Sequence, residues 1–479
     1  MRAFLLLIWL AGSLLWLSQD HLIRDGDEEG HVGAAELLRL HLDGGELLAF
    51  AHDAWRGDLG EYPPLYPALV GMWWWLGGSG QPGAVPIRAI NLLGLMLAAW
   101  ATATLAARLQ NARGYEPHPV LHPENTAAIT AMALVLTLPL ANGLARHFMP
   151  EGLLVGWVAL SVLTATWTSD RGDNPSLAVL GVVLGVGMLI KQTFAPLAIL
   201  PVVVAGAGIR TGWPLVLFVA SVVAGPWYLD HWADQSRYVS QSVQAGPLAS
   251  QWAHLLYYPA ALLHLIGGPV AVAAALVGAI IAARKGSKGP RRGLAIALAW
   301  LLGVAILAFI PKKYPRLAAP VAPALALLAG LGAAHLRRRE VLPVAAVVGG
   351  TAWLVWTSTT PPHTPSWVPT VDEKCPQRWI RPANPDDMGL SAIVDALSVA
   401  PEGALAVAHA PEIPCAVQTT HPWRNHLDPY LRRAGIERDV VDGTSRRAAV
   451  QATFLPEALA EPGDVAVPSL ELVLRIETR

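Results

Sequence analysis

Along most of the chain, apolar runs of roughly 17–23 residues alternate with short polar breaks, and a run of that length is what a helix needs to cross a bilayer. The pattern predicts spans at 3–18, 86–108, 125–143, 152–168, 176–190, 193–209, 213–229, 267–283, 293–310, 317–334 and 341–357. Each must be helical, because backbone N–H and C=O groups find no partners in lipid. Two shorter apolar runs, 64–77 (PLYPALVGMWWWLG) and 252–265 (WAHLLYYPAALLHL), contain proline and fall short of a crossing. Both read as helices lying at the interface, the first with Trp73, Trp74 and Trp75 at headgroup depth. The pattern changes near 358. A proline-rich linker (Thr360-Pro361-Pro362-His363-Thr364-Pro365) opens a stretch of soluble composition, in which 404–408, 439–441 and 465–467 read as strands and 426–434 as a helix. The expected fold is an all-α polytopic membrane domain, residues 1–357, of about eleven transmembrane helices plus interfacial helices. A small C-terminal α/β domain, 358–479, follows it on the extracytoplasmic side.

Composition agrees. The 479 residues are 53% hydrophobic and only 14% charged, where a soluble chain carries about twice that charge. A net charge of -1 gives no reason to expect a nucleic acid partner. Arg2 followed by an apolar run has the form of a signal peptide, but no A-x-A-like site follows it and further spans do, so the segment reads as a retained first helix. Basic residues set the orientation. With the N-terminus inside, the breaks 109–124, 169–175, 210–212, 284–292 and 335–340 face the cytoplasm of a cell whose inner membrane the chain would cross. Two of them are strongly basic, through Arg284, Lys285, Lys288, Arg291 and Arg292, and through Arg337, Arg338 and Arg339. Counting 64–77 as a span would put both on the wrong side. Eleven crossings leave the C-terminal domain in the periplasm, an oxidising compartment where Cys375 and Cys415 would either pair or stay as two structural thiols.

Charge then picks out one face. The first outer loop, 19–85, is the most acidic part of the chain: residues 19–62 hold eleven Asp or Glu against three Arg, concentrated in Asp25-Gly26-Asp27-Glu28-Glu29. The same side receives Arg146, His147 and Glu151, then Lys191, Arg237, and the segment Pro311-Lys312-Lys313-Tyr314-Pro315-Arg316. That segment carries three cations in six residues where the positive-inside rule keeps loops poor in them. Lys191 interrupts an apolar run (GVGMLIKQTFAPLAIL); a cation facing lipid near the centre costs on the order of 2.5–3.5 kcal/mol. Cations facing carboxylates at a membrane surface suit a lipid phosphate. They would stabilise charge on a departing phosphate in a water-poor site, while a carboxylate takes the proton of an incoming hydroxyl or amine.

In their order along the chain these motifs resemble the lipid-linked-sugar transferases of the glycosyltransferase-C superfold, bacterial relatives of the protein O-mannosyltransferases and of the aminoarabinose transferase that modifies lipid A. An Asp-Glu pair (Asp27-Glu28) follows the first span, with Glu36 and Leu37 in a loop helix beyond it. An acidic residue precedes a proline-led interfacial helix (Glu61-Tyr62-Pro63-Pro64-Leu65). The stretch 144–154 (LARHFMPEGLL) stands where the family has a second carboxylate, GVGMLIKQ supplies its lysine as Lys191, and 311–323 (PKKYPRLAAPVAP) resembles its basic, proline-rich turn. The resemblance covers about residues 1–335. It implies transfer of a sugar from a polyprenyl-phosphate donor to a lipid, glycan or protein acceptor on the periplasmic side, with inversion at the anomeric carbon. In that reading Asp27, with Glu28 beside it, is the base or the acceptor-orienting carboxylate, and Glu61 supports the pocket. Lys191, Lys312, Lys313, Tyr314 and Arg316 surround the phosphate, and Arg146 and Glu151 complete the site. Two positions depart from the family: its second carboxylate, usually Asp, is Glu151 here, and Tyr62 replaces a Lys of the lipid A branch.

Plainer readings stand beside these. An acidic loop can be a solvated face. The Asp25-Gly26-Asp27 triplet matches the D-x-D with which soluble glycosyltransferases hold a metal and a nucleotide sugar, but it lies on the wrong side for nucleotide sugars. Asp27 and His31 lie one helical turn apart without an identifiable third ligand, so no metal site is assigned, and a divalent cation is the one cofactor left open. Lys312, Lys313 and Arg316 would also serve as headgroup anchors, and Glu151 with Arg146 as a local ion pair. The rival class is a membrane transporter or lipid flippase, which places charges near mid-membrane on broken helices and often carries internal repeats. A scaffold that has lost its activity is the third reading, kept open by Glu151.

Overall fold

The computed structural model describes residues 2–19, 26–56, 62–77, 85–110, 126–244, 251–284, 288–308, 314–336, 341–359, 397–398, 405–409, 440–442, 450–456, 464–467 and 472–478. It opens with α1 (Arg2–Gln19) and continues through three loop helices, α2 (Gly26–Asp43), α3 (Leu47–Arg56) and α4 (Leu65–Gly77). The long apolar stretch follows as α5 (Val85–Gln110), α6 (Thr126–Thr137), α7 (Pro139–Leu144), α8 (Pro150–Arg171), α9 (Asn174–Ile190), α10 (Phe194–Ala205) and α11 (Trp213–Asp230). Then come α12 (Trp232–Gln244), α13 (Gln251–Ala261), α14 (Gly268–Arg284), α15 (Lys288–Ala308), α16 (Pro315–Ala318), α17 (Pro323–Ala333) and α18 (Val341–Thr359).

This is a helical membrane protein. Six of the described helices are long and apolar enough to cross a bilayer, and four shorter apolar ones accompany them. Helix α11 shows why lipid must cover it: Leu217, Phe218 and Val222 point outward on a helix with few buried residues. By contrast α6, α8 and α17 are buried along most of their length and form the centre with α5.

A helix occupies each of the eleven predicted intervals, with breaks where the chemistry requires them. The third interval splits at Leu138, because Pro139 offers no N–H to continue α6 and instead starts α7. Asn142 bridges the break: its Nδ2 donates to Leu136 O at 2.7 Å and to Leu138 O at 2.9 Å, while Trp9 Nε1 donates to its Oδ1. The tenth interval is likewise stepped, α16 passing through a 3-10 turn at Ala319–Val321 into α17. Of the three tryptophans placed at headgroup depth, Trp73 and Trp75 are exposed. Trp74 is buried instead, with the Arg39 guanidinium 5.3 Å from its ring, because α4 packs its Tyr66–Val70–Trp74 face against α2. The run 252–265 becomes α13 and a π turn, and the segment Leu256–His264 meets α14 at a 105° bend.

Beyond the helices lies a five-stranded sheet of β1 (Leu405–His409), β2 (Val440–Asp442), β3 (Val450–Pro456), β4 (Val465–Val467) and β5 (Leu472–Thr478), in the order β2-β1-β3-β5-β4. Strand β1 runs parallel to both neighbours, Leu405 opposite Val440 and Val450, and β5 runs antiparallel to β3 and β4. The three predicted strands match β1, β2 and β4. The predicted helix 426–434 and both cysteines lie outside the described residues.

Candidate functional site

Three helix boundaries, far apart in sequence, deliver three charged side chains to one buried point. Pro150 takes the first position of α8 with Met149 extended before it, which sets Glu151 in the first helical turn, where the helix dipole favours a carboxylate. Helix α9 stops at Ile190. Lys191 is its extended C-cap (φ -162, ψ 138), and α10 begins three residues later, so the lysine leaves the helix at its negative end. Tyr314 is the extended N-cap of α16, with Pro315 fixing the first helical residue and Arg316 the second.

Lys191 Nζ donates to Glu151 Oε1 at 2.7 Å, and Arg316 Nε lies 3.5 Å from the same oxygen. All three side chains are nearly or wholly buried. Two cations and one carboxylate leave the group with one net positive charge. Glu151 Oε2 is buried too and accepts no hydrogen bond from any described residue. Lys191 Nζ has one hydrogen-bond acceptor among the described residues, Glu151, so two of its three N–H bonds remain for an incoming oxyanion. Aromatic rings wall the cations: Lys191 Nζ stands 5.5 Å from the ring centre of Tyr62, and Arg316 Cζ 4.9 Å from that of Tyr314. The carbonyl of Tyr314 in turn accepts from Tyr258 Oη at 3.5 Å.

The crossing of α5 and α8 sets the depth of Glu151. A Cβ on Gly156 would strike the Gly94 carbonyl, and one on Gly94 would strike that of Gly152, so the two backbones touch only because these residues lack side chains. The contact carries Asn91 of α5 beside the start of α8, where its Nδ2 donates to the His147 carbonyl and, at 2.8 Å, to Tyr66 Oη. One turn earlier Arg88 Nε donates to Arg146 O at 3.0 Å, and the two guanidiniums stack on Trp16 at 5.6 and 5.1 Å.

The fates of the predicted site residues differ. The structure brings Glu151, Lys191 and Arg316 together, with Tyr314 against Arg316. The Arg146 guanidinium lies over the Trp16 ring. Asp27 and Glu28 fall in the first turn of α2, and Glu61, Lys312 and Lys313 lie outside the described residues. Arg237 is exposed on α12 and pairs locally with Asp234. Among the described residues no three His, Cys, Asp or Glu side chains gather as metal ligands. Sequence reasoning passed over Arg88, Asn91 and Tyr66 and weighed His31 only as half of a metal pair, although a polar residue within an apolar run is itself a signal. Arg88 and Asn91 carried that signal in VPIRAINLLGL.

Compared with solved structures, the chain is similar over nearly its whole length to ArnT from Cupriavidus metallidurans. The apo form gives a TM-score of 0.60 at 16% identity, covering 98% of this chain and 97% of that one. The form bound to undecaprenyl phosphate gives 0.59 at 15%, with the same coverage. The chain has the glycosyltransferase-C fold. Arabinosyltransferase EmbB from Mycobacterium smegmatis overlaps partially, with a TM-score of 0.44 at 16% identity over 69% of this chain and 30% of its own. No protein-family model matches the sequence, and no curated protein matches it significantly.

Proposed function

We propose that this protein is an integral inner-membrane glycosyltransferase that moves a sugar from a polyprenyl-phosphate donor to a lipid, glycan or protein acceptor on the periplasmic side. The observation that carries the reading is the buried cluster of Lys191 and Arg316 on one oxygen of Glu151, two cations to one carboxylate, in which two lysine N–H bonds meet no acceptor among the described residues. It is supported by the full-length likeness to a protein whose structure was solved with undecaprenyl phosphate bound.

The chemistry follows from charge. The donor is a phosphodiester with one negative charge, and its leaving group gains a second as the bond to the anomeric carbon breaks. Lys191 and Arg316, with Lys312 and Lys313 shortly before Arg316 in the sequence, oppose that growing charge in a site that water reaches poorly. The acceptor hydroxyl or amine attacks the anomeric carbon from the opposite face, the C–O bond to phosphate breaks with its electron pair going to the phosphate, and Asp27 takes the acceptor's proton. The sugar is thereby inverted. Glu28 and Glu61 support the acceptor side. Glu151 fixes the two cations, and Tyr314 holds Arg316 through its ring. Eleven spans with the N-terminus inside would leave the C-terminal α/β domain in the periplasm, where the acceptor is met.

The test is direct. Purified protein should bind undecaprenyl phosphate, Lys191→Ala should weaken that binding at least tenfold, and Asp27→Asn should abolish sugar transfer while sparing binding. Unchanged affinity in Lys191→Ala removes the phosphate from this site, and full turnover in Asp27→Asn removes the base.

A further inference from the structure

Beside the ion cluster runs a second set of contacts that joins it to the first outer loop. The Tyr62 ring, half-buried, faces the Lys191 ammonium at 5.5 Å. His31, buried on α2, stands edge-on to Tyr62 at 5.0 Å and to Tyr66 at 5.3 Å. Tyr66 Oη accepts from Asn91, and Asn91 also donates to the carbonyl of His147, three residues before the start of α8. The contacts therefore close on themselves: Glu151, Lys191, Tyr62, His31, Tyr66, Asn91, and back along the chain to Glu151.

We propose that Tyr62 and His31 are positioning residues for Lys191. His31 clamps the Tyr62 ring from α2, and the ring in turn fixes the direction in which Lys191 presents its charge. The physical need is plain. A lysine ammonium is a point charge on a flexible four-carbon stem with three rotatable donors, and this stem starts at a helix break, where the backbone no longer confines it. One hydrogen bond to Glu151 fixes the direction of a single N–H and leaves the orientation of the other two to the walls around the ammonium. An aromatic face holds a cation by its quadrupole without consuming an N–H bond, so Tyr62 restrains Lys191 while leaving two donors for an oxyanion. A second carboxylate in its place would cancel the net positive charge of the cluster. His31 meets both tyrosines edge-on, a geometry that aromatic pairs favour, and the Tyr66 side is anchored through Asn91. Since α2 also carries Asp27 in its first turn, one turn before His31, the same clamp sets the acceptor-side helix relative to the donor-side lysine.

The donor arm of the test rests on the glycosyltransferase reading; a second arm does not. With undecaprenyl phosphate as the probe, Tyr62→Leu should weaken binding roughly three- to fivefold, and Tyr62→Phe, which keeps the ring, should restore affinity to within about twofold of the starting protein. His31→Leu should weaken binding in the same direction. The double variant should be no weaker than Tyr62→Leu alone, since His31 acts through that ring. Additive losses, an unaffected His31→Leu, or a failure of Phe to rescue would each overturn the clamp.

The donor-independent arm is the initial rate at which an amine-reactive acylating reagent modifies Lys191, read by mass spectrometry on full-length protein in detergent. Tyr62→Leu and His31→Leu should both accelerate it several-fold, and Tyr62→Phe should not; equal rates in all variants would refute the proposal. If undecaprenyl phosphate fails to bind even the unmodified protein, the donor reading falls, and the Lys191 labelling rates still decide the clamp.

Discussion

The two ends of α8 carry the same charge pattern in opposite surroundings. At its start Glu151 lies between Lys191 and Arg316; in its last turn Asp170 lies between Arg108, at 2.8 Å, and Arg292, at 2.7 Å. The side chains of the first cluster are 0%, 4% and 6% exposed, those of the second 37%, 18% and 32%. The helix has 22 residues, so at about 1.5 Å per residue the clusters stand roughly one bilayer thickness apart. Asp170 clips the ends of α5, α8 and α15 together in contact with solvent, where ions cost little to place and return little. Desolvating three ions at the other end is expensive, and apolar residues of similar volume would usually serve stability as well or better. Stability alone therefore gives no reason for three buried ions at the start of α8, whereas the donor-phosphate role proposed above would give one.

The comparison can be broken most forcefully at its carboxylates. Glu151→Gln leaves Lys191 and Arg316 facing each other without a counter-ion, and about 3–5 kcal/mol of stability should be lost. Asp170→Asn should cost less than about 1 kcal/mol, an amount that added salt would shrink further. Thermal unfolding of both variants in one detergent measures the difference; equal losses would mean that burial does not separate the two ends.

Depth can be altered without touching a charge. In Gly156→Val the new side chain would meet the Gly94 backbone, which has no rotamer with which to yield. Forcing α5 and α8 apart should cost about 1–3 kcal/mol. It should also weaken undecaprenyl phosphate binding, because Asn91 and the turn before Glu151 move with the helices. Stability lost with affinity intact would show that the ion cluster is set by α9 and α16 alone.

Much of this was legible in the sequence, and for uneven reasons. Apolar run length marks helices whichever partner they pack against, so all eleven intervals carry helices; the proline breaks at 139 and 320 were visible as residues but not as steps, because a run of hydropathy is blind to backbone donors. Lys191 and Arg316 stood out because cations there break a rule of membrane topology. Their shared partner could not be read, since which of many carboxylates a cation meets depends on how deeply two helices cross. That depth was encoded in Gly94, Gly152 and Gly156, three small residues that look unremarkable within apolar runs. His31 illustrates the limit most clearly: beside Asp27 in an acidic stretch it reads as a surface residue, and only folding shows it buried against two tyrosines.

A third meeting of charges, in the loop helices, supplies the smallest effect and an exposed standard for the other two. His41 Nδ1 lies 3.0 Å from Glu46 and its Nε2 2.8 Å from Asp53. Those hydrogen bonds, Glu46 first and then Asp53, raise its pKa above the ordinary 6.5, while His52 and then His41 hold Asp53 below its usual carboxylate value. The imidazolium gains these partners only in the folded loop. Its contribution is therefore complete below pH 6.5 and is lost as pH climbs through the raised value. Asp53 behaves oppositely: its contribution is present above pH 3.8 and is lost only as pH falls through its depressed value. Amide exchange at the turn between α2 and α3, corrected for its intrinsic pH dependence, should thus show greater protection at mildly acid than at mildly alkaline pH. The difference should amount to less than about 1 kcal/mol, and His41→Gln should remove it. A pH-independent turn in the unmodified protein would mean that even a doubly partnered surface histidine contributes nothing measurable, widening the gap between exposed charge and the buried cluster at Glu151.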